Sequence, residues 1–513
     1  MTLLRLALRR DRAMLPAWGY LLLAVMLGTA FSFRSLYPTQ LDRDQFAAAL
    51  AGSRAITAIY GPLPLPASLG DLVSWRSLVL GAVLLACLAI LLVVRHTRAD
   101  EQSGALELLA ATAVGRAAPL AAALWTVALA VAALDVAVVL GGLAAGLPAA
   151  GCLTYAGAWA GVGLCFAGVA AVAAQLVESA RTARALSLLV LGCCYVLRLL
   201  GDTEVGWLGW LTPLGWAERM RPFHGDRWWP LVLPLLAGGA LIRLAFVLQQ
   251  RRDLFSGMLA ARAGRATAAP WLRSPVALTV RLSRTGWLSW LAGVLVFGAL
   301  FGGLASSVTA LGDSAATRRL LTELGGSSDL ADGFLGSSLN AGALILTGYG
   351  LAALVAAQAE EASGRLELLL SGSVGRRRWF ATQLVAALLG TAGLLAAVGL
   401  AAGVARGEAL RLLGTSLVLI PAAWTVIAAC ALLYSVRRTA ATAGWALLGG
   451  CAVLGLLGPV LRLPRWLLDL SPFTHVPTAP GEPVPAAAVS TLLVVSALAA
   501  AGAVWQLGRR DLG

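Results

Sequence analysis

The chain has 513 residues, 59% of them hydrophobic and only 12% charged. Soluble domains carry about 25% charged residues, so a water-facing globular protein is excluded. The net charge of +14 comes wholly from arginine, since no lysine occurs; the arginines sit at the ends of apolar stretches, as membrane anchors do, and not on a solvated face suited to nucleic acid.

The chain opens with residues 3–12, where Leu alternates with Arg. This pattern predicts an amphipathic helix on the inner membrane surface. The apolar run that follows has no small-residue cleavage site and is succeeded by many more, so it reads as a retained first span and not a removed signal peptide. Stretches of about 20 apolar residues cross a ~30 Å hydrocarbon core as helices. They predict spans near 15–33, 72–94, 118–144, 151–174, 185–200 and 230–248 in the first half. In the second half they fall near 287–304, 336–357, 381–404, 412–434, 441–460 and 486–506. The fourth span is rich in Gly and Ala, which suits close helix packing in lipid. With the N-terminus inside, the inner segments hold 24 arginines, and the outer segments together with the outer ends of the spans hold 14, which places both termini in the cytoplasm.

The two halves repeat. After the second span, Glu101, Gly104, Glu107 and Arg116 recur 260 residues later as Glu361, Gly364, Glu367 and Arg376. Leu211-Thr-Pro213 recurs as Leu470-Ser-Pro472, and Arg251-Arg-Asp-Leu254 as Arg509-Arg-Asp-Leu512. The fold class expected is therefore an all-α integral membrane protein, with twelve transmembrane helices in two tandem six-helix repeats. An even number of spans per repeat inserts both copies in the same sense, as a parallel pseudo-dimer. The expected organisation is a first six-helix half at 1–250, a cytoplasmic linker at 251–286 and a second six-helix half at 287–513.

The repeated loop reads as a short amphipathic helix led by acidic residues, which suits the positive end of a helix dipole. It is either a cytoplasmic lever that docks into a partner or an interfacial helix on lipid; repetition of the pattern favours the lever. The tryptophans at 207, 210, 216, 228 and 229 in the outer loop form either an aromatic belt or a gating element. Asp135, mid-way along the third span, is an intramembrane acid that serves either helix packing or cargo. All seven cysteines lie in apolar stretches without metal-ligand spacing, and the three histidines are far apart, so no metal site is expected. A phosphate-binding Walker loop needs a lysine, and these residues contain none.

The Glu-x-x-Gly-x-x-Glu-Leu-Leu loop with its Val-Gly-Arg ending resembles that of the ABC-2 type exporter permeases. The doubled arrangement, with Thr-Pro-Leu-Gly-Trp at 212–216 and Arg-Arg-Asp-Leu closing each half, is similar to their fused twelve-helix actinobacterial branch, which includes the tetronasin-type antibiotic exporters. The resemblance implies a permease subunit of an ATP-binding-cassette exporter in the bacterial plasma membrane, moving a hydrophobic or amphipathic compound outward. It implies no enzyme activity and no cofactor in this chain, with ATP and Mg bound by a separate ATPase subunit in two copies. Glu101, Gly104, Glu107, Arg116, Glu361, Gly364, Glu367 and Arg376 would then contact the ATPase. Trp210, Pro213, Trp216 and Pro472 become outer-gate candidates, although Pro472-Phe-Thr-His475 departs from the Gly-Trp of the first half. The alternatives are a proton-coupled secondary drug exporter of major-facilitator type and a lipid-linked membrane enzyme. The first needs embedded acids and the second catalytic acids in a large outer loop; neither pattern stands out.

Overall fold

The computed structural model describes residues 2–50, 57, 59–104, 115–252, 257–258, 267, 269–272, 274–311, 330–362, 364–372, 374–437, 443–457, 464–477 and 480–510. Among them the secondary structure is entirely helical. Eleven helices are long and apolar enough to cross a membrane, and the chain divides into two compact units, Met1–Gly264 and Arg265–Gly513.

Unit 1 contains α1 (Thr2–Arg10), α2 (Met14–Leu36), α3 (Gln40–Leu50), α4 (Leu69–Val94), α5 (Ala118–Ala144), α6 (Ala149–Leu176), α7 (Ala180–Thr203), α8 (Pro213–Arg219) and α9 (Val232–Arg251). Helix starts follow capping chemistry. Ser68 accepts from the Asp71 amide at 3.1 Å while Asp71 Oδ2 accepts from the Ser68 amide at 2.8 Å, a reciprocal capping box that opens α4. Ser179 accepts from the Thr182 amide at the start of α7. At its other end α4 runs on through one π turn, Arg95–Ala99, into Asp100–Gln102, so the second span is longer than its apolar stretch.

The core of unit 1 is α4 against α6. In each, 72% of the most apolar stretch is buried, against 17% in α2. The small residues of α6 admit close approach, as lipid gives helices no hydrophobic reason to associate and contact must do so. Trp159 lies over Gly81, where an added Cβ would sit 1.9 Å from the indole. Its Nε1 donates to the Leu78 carbonyl at 2.9 Å, and Tyr155 OH and Ser77 Oγ lie 2.9 Å apart.

Unit 2 contains α10 (Pro275–Leu311), α11 (Leu330–Ala362), α12 (Arg365–Leu370), α13 (Arg376–Arg406), α14 (Ala409–Val418), α15 (Ile420–Val436), α16 (Ala443–Leu457), α17 (Arg465–Leu468) and α18 (Ala486–Leu507). α10 begins well inside the stretch read as linker, because Pro275 fits a first helical turn and Ser274 Oγ accepts from the Ala277 amide. Gly298 and Gly302 of α10 lie against the backbone of α13 at Val398 and Ala402. α13 ends at Gly407, in the left-handed region at φ +81°, with the Glu408 amide returning to Gly403 O at 2.8 Å; this closes the helix as a glycine C-cap does. α14 and α15 together match the span expected at 412–434, and Pro421 sits where they meet. α16 is shorter than a span, and the stretch expected at 441–460 lies partly outside the described residues.

Candidate functional site: the loops after the second and eighth expected spans

In unit 1 the loop after α4 is bracketed by Glu101 and Arg116. Glu101 is buried, 3% exposed, and both its oxygens are taken by the fork of Arg252, Nη1 to Oε1 at 3.1 Å and Nη2 to Oε2 at 2.8 Å. Arg98, one helical turn before, places Nη1 2.9 Å from the same carboxylate. Arg252 Nε donates to Gln175 Oε1 at the end of α6, 2.8 Å. Arg116 closes the ring from the far side of the loop, donating to the Arg252 carbonyl, while its own carbonyl accepts from Gln249 Nε2 at 3.0 Å. Planar guanidinium forks hold carboxylates in one geometry, so the loop's entry and exit are tied to the ends of α6 and α9.

Unit 2 builds the same arrangement. Glu361 is paired with Arg510 Nη2 at 2.5 Å; Tyr434 OH donates to its other oxygen. Arg510 Nη1 donates to the Tyr434 carbonyl at 2.6 Å, and Arg376 Nη1 donates to the Arg510 carbonyl at 3.1 Å. Gly104 and Gly364 have φ of +76° and +72°, a conformation glycine adopts without penalty, and each donates its amide to the carbonyl of Glu101 or Glu361 at 3.2 Å. Glu101 and Glu361, expected at the ATPase contact, are both buried, their carboxylates turned toward Arg252, which is buried, and Arg510, which is partly buried. Glu367, Arg116 and Arg376 are exposed. The expected amphipathic helix is present in unit 2 as α12, with Leu366 buried and Glu367 exposed. Its counterpart in unit 1, with Glu107, lies outside the described residues.

The N-terminal helix is fastened to the same region of unit 1. Arg10 Nη1 donates to both oxygens of Asp100, at 2.9 and 2.8 Å. Asp11, fully buried, lies 2.5 Å from His96 Nε2 and 3.3 Å from Arg95 Nη1.

The other loop cluster of unit 1 surrounds the tryptophans. Trp210 stacks on Trp229 with centroids 5.5 Å apart, and Arg219 lies over the Trp210 ring at 4.5 Å. Trp216 Nε1 donates to the Trp210 carbonyl, Pro213 occupies the first turn of α8, and Thr212 caps that turn by accepting from the Gly215 amide. Beneath it, Arg198 is fully buried. Its Nε lies 2.8 Å from Asp202 and 2.9 Å from Glu218, and Nη1 donates to the Ile59 carbonyl at 2.9 Å. In unit 2, Pro472 opens a single 3-10 turn, Pro472–His475, with Phe473 buried.

The chain matches the family model described as multidrug efflux system permease Rv1217c, C-terminal domain, over residues 272–507. Across 99% of its length, and 94% of the relative's, it is 37% identical to the multidrug efflux system permease protein Rv1217c of Mycobacterium tuberculosis (strain ATCC 25618 / H37Rv). The chain belongs to this family of multidrug efflux permeases. It is a multi-pass membrane protein and a transport subunit.

In the permease, Asp135 lies on α5 with Oδ1 buried and without a hydrogen-bond partner, beside the exposed apolar side chains of Val136 and Leu140. Among the described residues no group of His, Cys, Asp and Glu could hold a metal ion. Sequence reasoning missed Gln175 and Tyr434, which occupy matching places in the two loop clusters but share no chemistry beyond a polar atom. It also missed the Arg198 cluster, whose members come from separated segments. The Arg-Arg-Asp-Leu endings were visible as a repeat, and their Arg252 and Arg510 meet the residues that bracket the loops, while the Asp-Leu of each lies outside the described residues.

Proposed function

We propose that the chain is the permease subunit of an ATP-binding-cassette exporter of ABC-2 type, fused as two tandem six-helix repeats. It moves a hydrophobic or amphipathic compound (antibiotic, drug or lipid-like) out of the cell. The observation that carries this reading is the pair of equivalent loops, Glu101 to Arg116 and Glu361 to Arg376, each fastened to the arginine that follows α9 or α18. Two copies of an ATPase need two matching loops to receive them, whereas a proton-driven carrier of major-facilitator type calls for embedded acids and a Gly-x-x-x-Asp-Arg-type loop after the second span, and neither pattern stands out in this sequence. The absence of lysine from these residues leaves no Walker loop, so ATP and Mg belong to a partner chain. Cargo is apolar in character, because few charged side chains lie within the membrane helices to meet a charged solute.

In this scheme the plasma membrane holds twelve spans, with α16 in the eleventh, and both termini are cytoplasmic. Gly104, Glu107, Arg116, Gly364, Glu367 and Arg376 form the surface that the ATPase grips. Glu101 and Glu361 support that surface from within. Closure of the two ATPase subunits on ATP pushes both loops and alternates access between the two faces of the membrane, with Trp210, Pro213, Trp216 and Pro472 at the outer gate. Asp135 lies within the spans as a polar contact for cargo or a neighbouring helix.

Co-expression with the ATPase tests this reading. The expected outcome is co-purification, vanadate-sensitive drug transport, and loss of ATPase binding in E107R and E367R. Transport that follows the proton gradient and persists without any ATPase would overturn it.

A further inference from the structure

The Arg-Arg-Asp-Leu segments close the two halves, and no role follows for them from the permease fold itself. Arg252 and Arg510, the second arginine of each, meet four structural elements at once. They pair with the acid that enters the loop, Glu101 at 2.8 Å and Glu361 at 2.5 Å. They reach the ends of α6 and α15, at Gln175 Oε1 and the Tyr434 carbonyl. Their carbonyls accept from the arginine that leaves the loop, Arg116 or Arg376. They themselves continue directly from, or follow closely on, the final helices α9 and α18.

This geometry is costly unless it has a use. A charge pair taken out of water is weak evidence for stability, since the desolvation of both ions offsets their attraction. What such a pair does provide is a fixed geometry, and a bidentate guanidinium provides more than an ammonium would. A loop pushed by a partner does no work on the membrane helices if its base swings. Tied at entry and exit to α6 and α9 in unit 1, and to α15 and α18 in unit 2, it must carry them along.

We propose that Arg252 and Arg510 are positioning residues that convert movement of the two loops into movement of the membrane helices. The Glu101–Arg252 and Glu361–Arg510 pairs are the joints through which ATPase closure is transmitted. This inference rests on the ABC-exporter reading above.

The test uses the permease with its ATPase in proteoliposomes, measuring drug moved per ATP hydrolysed, with co-purification and thermal melting as separate readouts. The R252Q/R510Q variant is expected to bind the ATPase and to hydrolyse ATP basally as the unaltered complex does. Its drug-to-ATP ratio should fall about tenfold, in the range of coupling between distant sites. R252K/R510K keeps the charges and loses the fork, and should lie between. In unit 2, the reversed pair E361R/R510E should recover most of what E361R alone loses. An unchanged ratio in a folded R252Q/R510Q overturns the inference while leaving the exporter reading intact. A fall fully accounted for by lost ATPase binding also overturns it, since the arginines would then belong to the docking surface. Should unaltered permease transport without the ATPase, the exporter reading itself fails, and that is seen before any variant is made.

Discussion

Replacing Arg510 by Gln should destabilise the permease more than replacing Arg252, although the two residues hold equivalent places. Glu361 and Glu101 are both buried, and removing the partner of a buried carboxylate costs roughly 3–5 kcal/mol. At Glu101 a second guanidinium remains, with Arg98 Nη1 at 2.9 Å. The loss in R252Q is then that of hydrogen bonds to a carboxylate that keeps a cation beside it, about 1.5–3 kcal/mol. The position equivalent to Arg98 in unit 2 is Gln358, whose Oε1 is buried without a hydrogen-bond partner. A unit of this size shifts its melting midpoint by roughly 2–4 °C per kcal/mol. R510Q is therefore expected to melt about 6–20 °C below the unaltered protein and R252Q about 3–12 °C below it, compared at one scan rate because membrane proteins of this size unfold irreversibly. The compensating variant R510Q/Q358R should regain part of the loss by supplying unit 2 with the cation unit 1 already has. Equal melting of R252Q and R510Q, or no recovery on adding Arg at 358, would refute this reasoning.

Three further outcomes follow from packing and charge. Gly81→Val should lower the yield of monodisperse protein and cost about 1–3 kcal/mol by overpacking, since a Cβ at this position would meet the Trp159 ring at 1.9 Å; the control Gly28→Ala, with nothing within 4 Å of its Cβ, should be neutral in the same size-exclusion assay. Arg198→Met should destabilise by roughly 3–5 kcal/mol by stranding the carboxylates of Glu218 and Asp202, whereas Asp100→Ala, which removes the partly exposed ion pair with Arg10, should cost about 1 kcal/mol or less. The Glu408 carboxylate, between α13 and α14, is held below the usual glutamate range by hydrogen bonds from Arg406 and Arg411. Its contribution is thus present above the ordinary glutamate pKa and lost as pH falls through the depressed one; melting curves of E408Q and the unaltered protein should converge on acidification and diverge towards neutrality.

The fold was legible wherever hydropathy alone decides. Spans at 118–144 and 486–506 agree with Ala118–Ala144 and Ala486–Leu507 within a residue or two, because lipid-facing helices must be apolar throughout. Ends were less legible. α4 runs on past its apolar stretch through His96 and Arg98, whose side chains are met by Asp11 and Glu101, and no local pattern announces such pairing. α10 starts at Pro275, inside the stretch expected as linker, because proline favours a first turn. At the loops, the repeat identified Glu101, Arg116 and Arg252 with their counterparts one by one. It could not show that they touch, nor that Gln175 and Tyr434 complete the same cluster with different side chains. Whether an acid faces a partner or a buried arginine is a matter of three-dimensional neighbours, and both readings fit the same spacing.

The account rests on the two loops facing the same side of the membrane and meeting the same kind of partner. Ser103 and Glu367 are exposed residues beside the two glycine turns, and S103C and E367C can be labelled with a membrane-impermeant maleimide in inside-out and right-side-out vesicles, after subtracting the labelling of the native cysteines. The account predicts that both react only when the cytoplasmic face is accessible and that the bound ATPase protects both. Reaction of the two positions from opposite faces would contradict it.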